Sequence, residues 1–493
     1  MFSLIRRLLK HSAVYGLGHV LSRVVSFILL PYLTHALTPD QYGAVTLLYT
    51  FISIVLVLYV YGADIAFLRY YILEKDLAQQ RQIFGTIFWA AVATSVLFSL
   101  IIVFSTRWIS GIIFENPAGV GSDTLYLILL CTGILVSDTL GMYPYLWLRA
   151  VEKSLPFIAL KVAGVVVHVS LTYIFLSVLH RGVEGIFEAN LIASALQFVL
   201  LLPVIIKHTS FSIKLRHFGE FFRFGIPNMP SQLFVMIVEL SDRKILELLL
   251  GLSIVGIYSA GYKLGLFMAV ITMGFRFAWH PFFLSISERP DAKQTYARVF
   301  TYYMLVTGTL FLLLVFFIEP LMKTPLPLVG TLIEERYWQG LQVFPVILLA
   351  HICNGAYANF MVGVYLEKKV GLMPLVTGAA AIVNVGINLI FIPVFGMMAA
   401  AWATFFAYFT IAALLYVLIQ PHYRINYEWN RVGILLACGA AIYLVSTAHF
   451  LQTYWLLKLL LLPLFFFMLK LANFFLPEET AAVRRRLFFF RAS

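Results

Sequence analysis

The stretch VMIVELSDRKILELLLG, residues 235–251, carries five charged side chains although it is otherwise long and apolar enough to cross a membrane. A charge at the middle of a bilayer costs about 2.5–3.5 kcal/mol on insertion scales, so such side chains face protein or water rather than lipid. Glu239, Arg243 and Glu247 are spaced four residues apart and share one helical face. Asp242 flanks that face. The spacing predicts either an ion-paired hinge or a gate whose pairs exchange partners with an anionic substrate.

Two basic side chains are predicted near the membrane midplane. At 1.5 Å per residue, Arg23 lies about 16 Å into the first apolar run and Lys263 about 15 Å into the eighth. Neither reaches an interface easily, so each is predicted to face a cavity or to form a buried ion pair. Lys161 and Arg276 lie closer to the predicted ends of their runs. They either snorkel to the interface or line a cytoplasmic vestibule.

Three titratable side chains within or at the ends of apolar runs are candidates for energy coupling. Asp64 lies near the end of the second run, while Asp138 and His168 lie deep in the fourth and fifth. A protonatable group buried among helices can relay protons, but a single satisfied core side chain explains each of them equally well. Asn384 and Asn388, one helical turn apart, are predicted to hold helices together rather than to bind a ligand.

The composition predicts the elements that position these side chains. The 493 residues are 61% hydrophobic and 12% charged, whereas soluble domains are near half apolar and a quarter charged. An all-α membrane protein of about fourteen transmembrane helices is therefore predicted. No catalytic constellation, metal-ligand spacing or cofactor motif is found, and the three cysteines fall inside spans as apolar fillers. The predicted spans are 12–36, 42–66, 84–106, 123–147, 155–179, 184–206, 224–249, 253–277, 298–319, 340–365, 371–393, 397–419, 431–449 and 453–475.

The distribution of basic residues predicts the topology. With the N-terminus in the cytoplasm, 23 of the 35 Lys and Arg residues fall in loops on that side and four on the other. The positive-inside rule then puts both termini in the cytoplasm. The net charge of +12 is explained as a topology signal, and nucleic acid is not predicted as a partner.

An internal repeat is indicated by a shift of 213 to 214 residues. Gly43 then aligns with Gly256, and Gly164 with Gly378. Spans one to six would pair with spans seven to twelve in the same orientation, as parallel repeats do in transporters, although a duplicated bundle need not transport. The predicted division is an N-terminal lobe at 1–206, a cytoplasmic linker at 207–223, a C-terminal lobe at 224–419, and two further spans with a basic tail at 420–493.

Three stretches carry a family resemblance: LPYLTHALTPDQYGAVTLLYTF, FGIPNMPSQLFVMIVELSDRKILELLLGLSIVGIYSAGYKLG and AIVNVGINLIFIPVFGMMAAAWATFFAY. The chain resembles, over nearly its whole length, the bacterial polysaccharide (O-antigen-type) flippases of the multidrug/oligosaccharidyl-lipid/polysaccharide exporter superfamily. These motifs are diffuse and do not specify a substrate. Where relatives often have Gly-Ala near the start of span twelve, this chain has MMAAA at 397–401.

The resemblance implies two six-helix lobes, a central cavity and alternating access. The implied substrate is an oligosaccharide linked to a polyprenyl diphosphate of the undecaprenyl type. It would move from the cytoplasmic to the outer leaflet of the bacterial inner membrane, for polysaccharides such as lipopolysaccharide. Implied partners are this lipid, membrane lipids and other polysaccharide-assembly proteins. Arg23, Lys263, Arg276 and Lys161 would then form a cationic cavity.

Three other functions remain open. A cation-coupled drug exporter of the same superfamily would favour acids in its cavity over Arg23 and Lys263. A membrane glycan polymerase or ligase would need a large outer loop with catalytic side chains, and the longest predicted outer loop, 320–339, is short and rich in proline. A helical scaffold that does not transport is the third.

Overall fold

The computed structural model describes residues 29–116, 122–210, 229–325 and 330–479, and six single positions outside these ranges. Arg23, most of the linker at 207–223 and the basic tail lie outside the described residues.

The first half of the described chain is helical throughout. Residues 29–36 form the visible part of a first helix. The helices that follow are α1 (Pro39–Val60), α2 (Ala63–Leu73), α3 (Leu77–Phe104), α4 (Thr106–Ile113), α5 (Thr124–Ala150), α6 (Ser154–Tyr173), which continues as a π-helical turn at Ile174–Val178, and α7 (Gly182–His208).

The second half is helical as well. Its elements are α8 (Met229–Leu250), α9 (Leu252–Ser285), α10 (Ala292–Lys323), a 3-10 segment at Glu335–Val343, α11 (Phe344–Leu366), α12 (Met373–Phe395), α13 (Met397–Ile419), α14 (Trp429–Ser446), α15 (His449–Thr453), a 3-10 segment at Trp455–Leu460, and α16 (Leu461–Leu471).

Local sequence explains where the first of these helices begins and ends. Thr38 and Gln41 form a capping box at the start of α1, where Pro39 occupies the first helical position and needs no hydrogen-bond acceptor. The helix ends at Tyr61 in the left-handed conformation, and Gly62 continues with a positive φ of 73° before α2 begins. The turn between α1 and α2 therefore depends on a glycine that accepts this backbone conformation.

The described chain divides into two compact units, and the boundary falls within α9, α11 and α13. The first unit contains the described parts of Met1–Leu266 together with Ile333–Ile347 and Gly371–Ile411. Part of its core is aromatic, and Phe67 of α2 packs edge-on against Phe84 of α3 and Tyr143 of α5.

The second unit contains Phe267–Leu332, Leu348–Val370 and the described part of Ala412–Ser493. One of its cores joins Phe316 of α10 to Leu435 of α14 and Phe465 of α16. A second core gathers Trp279 and Phe283 of α9 around Tyr296 of α10.

Eleven helices in the described part of the chain are long and apolar enough to cross a membrane. Three of the fourteen predicted spans are not among them. Span 12–36 lies largely outside the described residues, and Met229–Leu250 is a full-length helix that carries the charges noted above. Span 453–475 consists of short helical segments instead of one continuous helix. The count of fourteen stays a prediction.

Several helices expose apolar side chains that suit contact with lipid. On α3, Leu97, Leu100 and Ile101 are each about half exposed, and on α12 Ile382 and Val394 are more exposed still. Exposed apolar surface of this extent marks an interaction with another protein or with a membrane, and its recurrence on long apolar helices indicates the membrane.

Candidate functional site

The charged helix α8 contains a buried ion pair between adjacent residues. The Arg243 guanidinium donates to the Asp242 carboxylate at 2.6 Å, and the two residues are only 6% and 0% exposed. The Tyr258 hydroxyl of α9 donates to the second carboxylate oxygen, and Arg243 lies 4.1 Å from the centre of the Tyr262 ring. The pair is therefore shielded by protein, as predicted, with tyrosines as its neighbours.

The pairing along α8 differs from the one expected from the four-residue spacing. Arg243 donates to the backbone carbonyl of Glu239, and the Glu239 carboxylate instead accepts a hydrogen bond from the Tyr408 hydroxyl of α13 at 2.9 Å. A partner on another helix thus takes the place of the predicted Glu239–Arg243 ion pair. Asp242, which the sequence placed beside the charged face, is the residue that neutralises Arg243.

Glu247 also has a partner that the four-residue spacing did not predict. Lys244 donates to it at 2.6 Å, and the backbone N–H of Glu115 donates to its other carboxylate oxygen. The Lys244 ammonium also lies 3.3 Å from the carbonyl oxygen of Ile113. The last turns of α8 are therefore tied to the end of α4 and to the residues just after it. The three-residue spacing of Lys244 and Glu247 is a sequence signal that could have revealed this pair.

The start of α1 and the start of α9 pack backbone to backbone. A Cβ added to Gly43 would lie 2.1 Å from the Leu252 carbonyl oxygen, and one added to Gly256 would lie 2.0 Å from that of Pro39. Atoms do not approach so closely, so glycine is required for this contact. These are the two glycines that the proposed repeat aligns.

A tyrosine from the 3-10 segment Glu335–Val343 extends this contact. The Tyr337 hydroxyl donates to the Leu37 carbonyl at 2.9 Å, and its ring packs edge-on against Tyr42. Together with the ties of Lys244 and Glu247, these contacts lie on the side of the chain predicted to be outer. We refer to them as the outer contact cluster, formed by Leu37, Pro39, Tyr42, Gly43, Ile113, Glu115, Lys244, Glu247, Leu252, Gly256 and Tyr337.

Lys263 lies on α9, two turns beyond Gly256. Its ammonium is 5.0 Å from the centre of the Tyr42 ring, a cation–π contact. Among the described residues no carboxylate lies within 4.0 Å of it. Of the two midplane cations predicted, Lys263 is thus a half-buried base whose positive charge is not neutralised by a described acid.

Lys161 of α6 belongs to a polar group with α5 and α7. Its ammonium is 4.1 Å from the Tyr145 ring, and the Tyr145 hydroxyl donates to Gln197 at 2.7 Å. Asp138 is exposed on α5 and interacts electrostatically with Lys161, although the two form no ion pair within 4.0 Å. The structure thus brings together one predicted cavity base and one predicted coupling acid.

The other two coupling candidates, Asp64 and His168, share no described hydrogen bond or ion pair with Asp138. Asp64 is on α2, and His168 is on α6, about two turns from Lys161. Within the described chain, Oδ1 of Asp64 and Nε2 of His168 are buried without a hydrogen-bond partner.

Arg276 lies in the second unit, within α9. The predicted span ended at 277, but the helix continues to Ser285, so Arg276 is about 14 Å from the helix end instead of at it. Its side chain is exposed and borders a pocket with aromatic side chains of α9 and α11.

Asn384 and Asn388 connect helices, as predicted. The Ser241 hydroxyl of α8 donates to Oδ1 of Asn384 on α12 at 3.0 Å, and the Asn388 amide donates to the same oxygen. Tyr258, Tyr262 and Tyr408 were not singled out from the sequence, because a tyrosine in an apolar helix carries no signal of the charge it contacts.

Residues 8–287, more than half of the chain, match the model of a family described as polysaccharide biosynthesis protein. The chain belongs to this polysaccharide biosynthesis family. No curated protein sequence matches the chain significantly.

Solved structures show which fold this family member has. It is similar to the lipid II flippase MurJ in an inward closed conformation, with a TM-score of 0.71 and 15% identity over 93% of this chain and 98% of that one. It is also similar to an inward-facing multidrug resistance MATE family transporter of the MOP superfamily, with a TM-score of 0.64 and 13% identity over 80% and 94%. A third similar structure is a mutant of the Vibrio cholerae MATE transporter VcmN, with a TM-score of 0.59 and 15% identity over 86% of this chain and 98% of that one.

These comparisons confirm the predicted class. The family member is an all-α, multi-pass membrane protein with the fold that MurJ and the MATE transporters share. The predicted membership in a polysaccharide-related family is confirmed by the match to the polysaccharide biosynthesis family. The lobe boundaries and the roles of individual residues stay predictions.

Proposed function

We propose that the protein is a flippase that moves a polyprenyl-diphosphate-linked oligosaccharide from the cytoplasmic to the outer leaflet of the bacterial inner membrane. Membership in the polysaccharide biosynthesis family and the fold shared with a lipid II flippase support a lipid-linked substrate. The residue-level observation that carries the proposal is Lys263, a base within a membrane helix that no described carboxylate neutralises. Such a charge suits an anionic diphosphate that must leave water.

The proposed mechanism is alternating access between two sides of the membrane. The outer contact cluster would act as the closed outer gate, since it joins the starts of α1 and α9 and ties the end of α8 to the end of α4 and the residues just after it. Lys263, about two turns beyond this cluster's Gly256, would hold the diphosphate while the gate is closed. Opening the gate would release the oligosaccharide outward. The protein's part in this cycle is binding and movement, without a chemical step.

Export of surface polysaccharide in a strain that lacks the native gene tests the proposal. Lys263→Ala and Arg23→Ala should each reduce export about tenfold or more at normal membrane abundance, because each removes a charge-assisted contact to the diphosphate. Arg23→Lys should keep partial function, since charge matters more than fork geometry for a moving substrate. Lys470→Ala is the matched control, because Lys470 is exposed in the last turn of α16. Normal export by the Arg23→Ala, Lys263→Ala double variant would refute the cationic site.

A cation-coupled drug exporter is the second candidate, because two of the similar structures are MATE transporters. The exposed Asp138 beside Lys161 is the observation that favours it. Expression in a drug-sensitive strain distinguishes the two functions. The flippase proposal expects unchanged susceptibility to cationic drugs, whereas an exporter would lower susceptibility and lose that effect in Asp138→Asn.

A further inference from the structure

The second unit contains a small pocket whose polar lining consists of hydrogen-bond donors and includes no acid. Helix α9 contributes Arg276, Trp279, His280 and Phe283, and helix α11 contributes Met361 and Tyr365. The volume of about 60 Å³ is room for roughly four to six waters, which excludes an oligosaccharide and admits one small head group.

Two of the donors are not engaged by other parts of the described chain. Among the described residues no carboxylate lies within 4.0 Å of the exposed Arg276 guanidinium. Trp279 is only 4% exposed, yet its indole N–H has no hydrogen-bond partner in the described part of the chain. A buried donor without an acceptor is rare and calls for an acceptor that the chain itself does not supply.

Packing holds the aromatic side of the pocket in place. Trp279 stacks on Phe275 at 5.7 Å and meets Tyr296 edge-on. His280 lies one turn from Arg276 and packs edge-on against Tyr365, with ring centres 4.7 Å apart. The donors are therefore presented on a rigid surface, which lowers the entropy lost when a ligand binds.

The depth of the pocket indicates which anion it meets. Arg276 is about 14 Å from the end of α9 on the side predicted to be cytoplasmic, where the following loop carries Arg289 and the first turn of α10 carries Lys293. Basic pockets between membrane helices on the cytoplasmic side bind lipid head groups, whose phosphates are the anions on that side of a membrane.

We propose that this pocket binds the phosphoryl group of a lipid, with Arg276 as its charge partner and Trp279 and His280 as further donors. The site is separate in sequence from Lys263, which lies 13 residues earlier on α9. The proposal deepens the proposed function and rests on it only for the source of the ligand. A polyprenyl diphosphate would use the pocket as its entry site, and a phospholipid would use it as a head-group site.

Lipid binding to the purified full-length protein in a neutral detergent tests the pocket, measured by native mass spectrometry. The probes are farnesyl diphosphate, which is a short polyprenyl diphosphate, and dioleoylphosphatidylglycerol. Arg276→Gln should weaken binding about tenfold or more, because it removes the charged donor. Trp279→Phe keeps an aromatic side chain but removes the indole N–H, and His280→Phe likewise replaces the imidazole by a ring that has no N–H. Each should weaken binding about threefold or more.

Arg289→Gln is the matched control, because it removes one positive charge from the exposed loop beside α9 and should change binding less than twofold. If the pocket variants lose binding of farnesyl diphosphate alone, the pocket is assigned to the polyprenyl diphosphate. If they lose binding of phosphatidylglycerol alone, it is assigned to a phospholipid. Loss for both would establish a general lipid-phosphoryl site. Equal effects of Arg276→Gln and Arg289→Gln, or normal binding by Arg276→Gln and Trp279→Phe, would overturn the proposal.

The same variants separate this proposal from the flippase function. Binding that depends on Arg276, in a protein that restores no polysaccharide export, would refute the flippase and leave the pocket standing. If the wild-type protein restores export but its binding of farnesyl diphosphate is unchanged in Arg276→Gln and Trp279→Phe, the pocket proposal is refuted and the flippase function stands.

Discussion

At the residue scale, each charged side chain of α8 has a partner close by. Asp242 pairs with Arg243, Glu247 with Lys244, and Glu239 accepts from Tyr408. Only the Asp242–Arg243 pair is almost fully buried, so it is the pair for which loss of one partner leaves a charge without compensation.

Asp242→Ala and Arg243→Ala should each destabilise the protein, by about 3–5 kcal/mol, because an unpaired charge remains inside. The double variant should be less destabilised than the sum, since it removes both charges. Thermal unfolding in detergent measures the cycle. Glu239→Gln is the control, because it keeps an acceptor for Tyr408 and should cost far less. Additive losses would show that the two residues act independently.

At the element scale, the contact of α1 with α9 depends on two glycines. A methyl group at either position would overlap backbone carbonyl oxygens, which cannot rotate away as a flexible side chain could. The starts of the two helices would have to separate.

Gly256→Ala should therefore lower the melting temperature and reduce export. Gly274→Ala is the control on the same helix, because no described atom beyond the neighbouring helix backbone lies within 4 Å of its added Cβ. Replacing a helical glycine by alanine without a clash gains about 0.5–1 kcal/mol, so Gly274→Ala should be neutral or stabilising. A Gly256→Ala variant as stable and active as Gly274→Ala would contradict the close contact.

The last described residues are held by a second ionic contact. Arg431 of α14 donates to Glu479 at 2.9 Å and to the Phe474 carbonyl at 2.8 Å. Burial disfavours the ionised form of Glu479, but the Leu476 amide, the Tyr302 hydroxyl and Arg431 outweigh it, and the pKa of this carboxyl is lowered from 4.5.

This lowered pKa gives a pH dependence of stability. A carboxyl whose folded pKa is below its unfolded value stabilises the fold above about pH 4.5, and the contribution is lost as pH falls through the folded pKa. Melting temperatures of wild type and Glu479→Gln should therefore differ most near neutral pH and converge in acid. A difference that stays constant down to pH 3 would exclude the ionised contact.

At the scale of the whole molecule, the fold is similar to that of a lipid II flippase and of MATE transporters. The orientation of the chain in the membrane decides which end of each helix faces the cytoplasm. The asymmetry of 23 to four basic loop residues predicts that both termini are cytoplasmic. Reporter fusions within 207–223 and at the C-terminus should both report cytoplasm. A periplasmic signal at either position would reject the topology and the parallel repeat that depends on it.

The sequence by itself determined the all-helical membrane class and the family, because long apolar runs and diffuse motifs are local properties of the chain. It also located the charged helix and predicted that protein would shield it, since lipid excludes charge. The bridging role of Asn384 and Asn388 followed from the same reasoning.

Only the tertiary structure decided which groups meet. Tyr408 is 169 residues from Glu239, so helix spacing could not reveal that it, and not Arg243, hydrogen-bonds that carboxylate. The length of α9 was also missed, because the polar residues that suggest a membrane boundary near 277 do not end a helix. Arg276, Trp279 and His280 line a pocket only because α11 packs beside α9. Periodicity along one helix predicts which residues share a face, whereas the identity of the partner depends on contacts between distant helices.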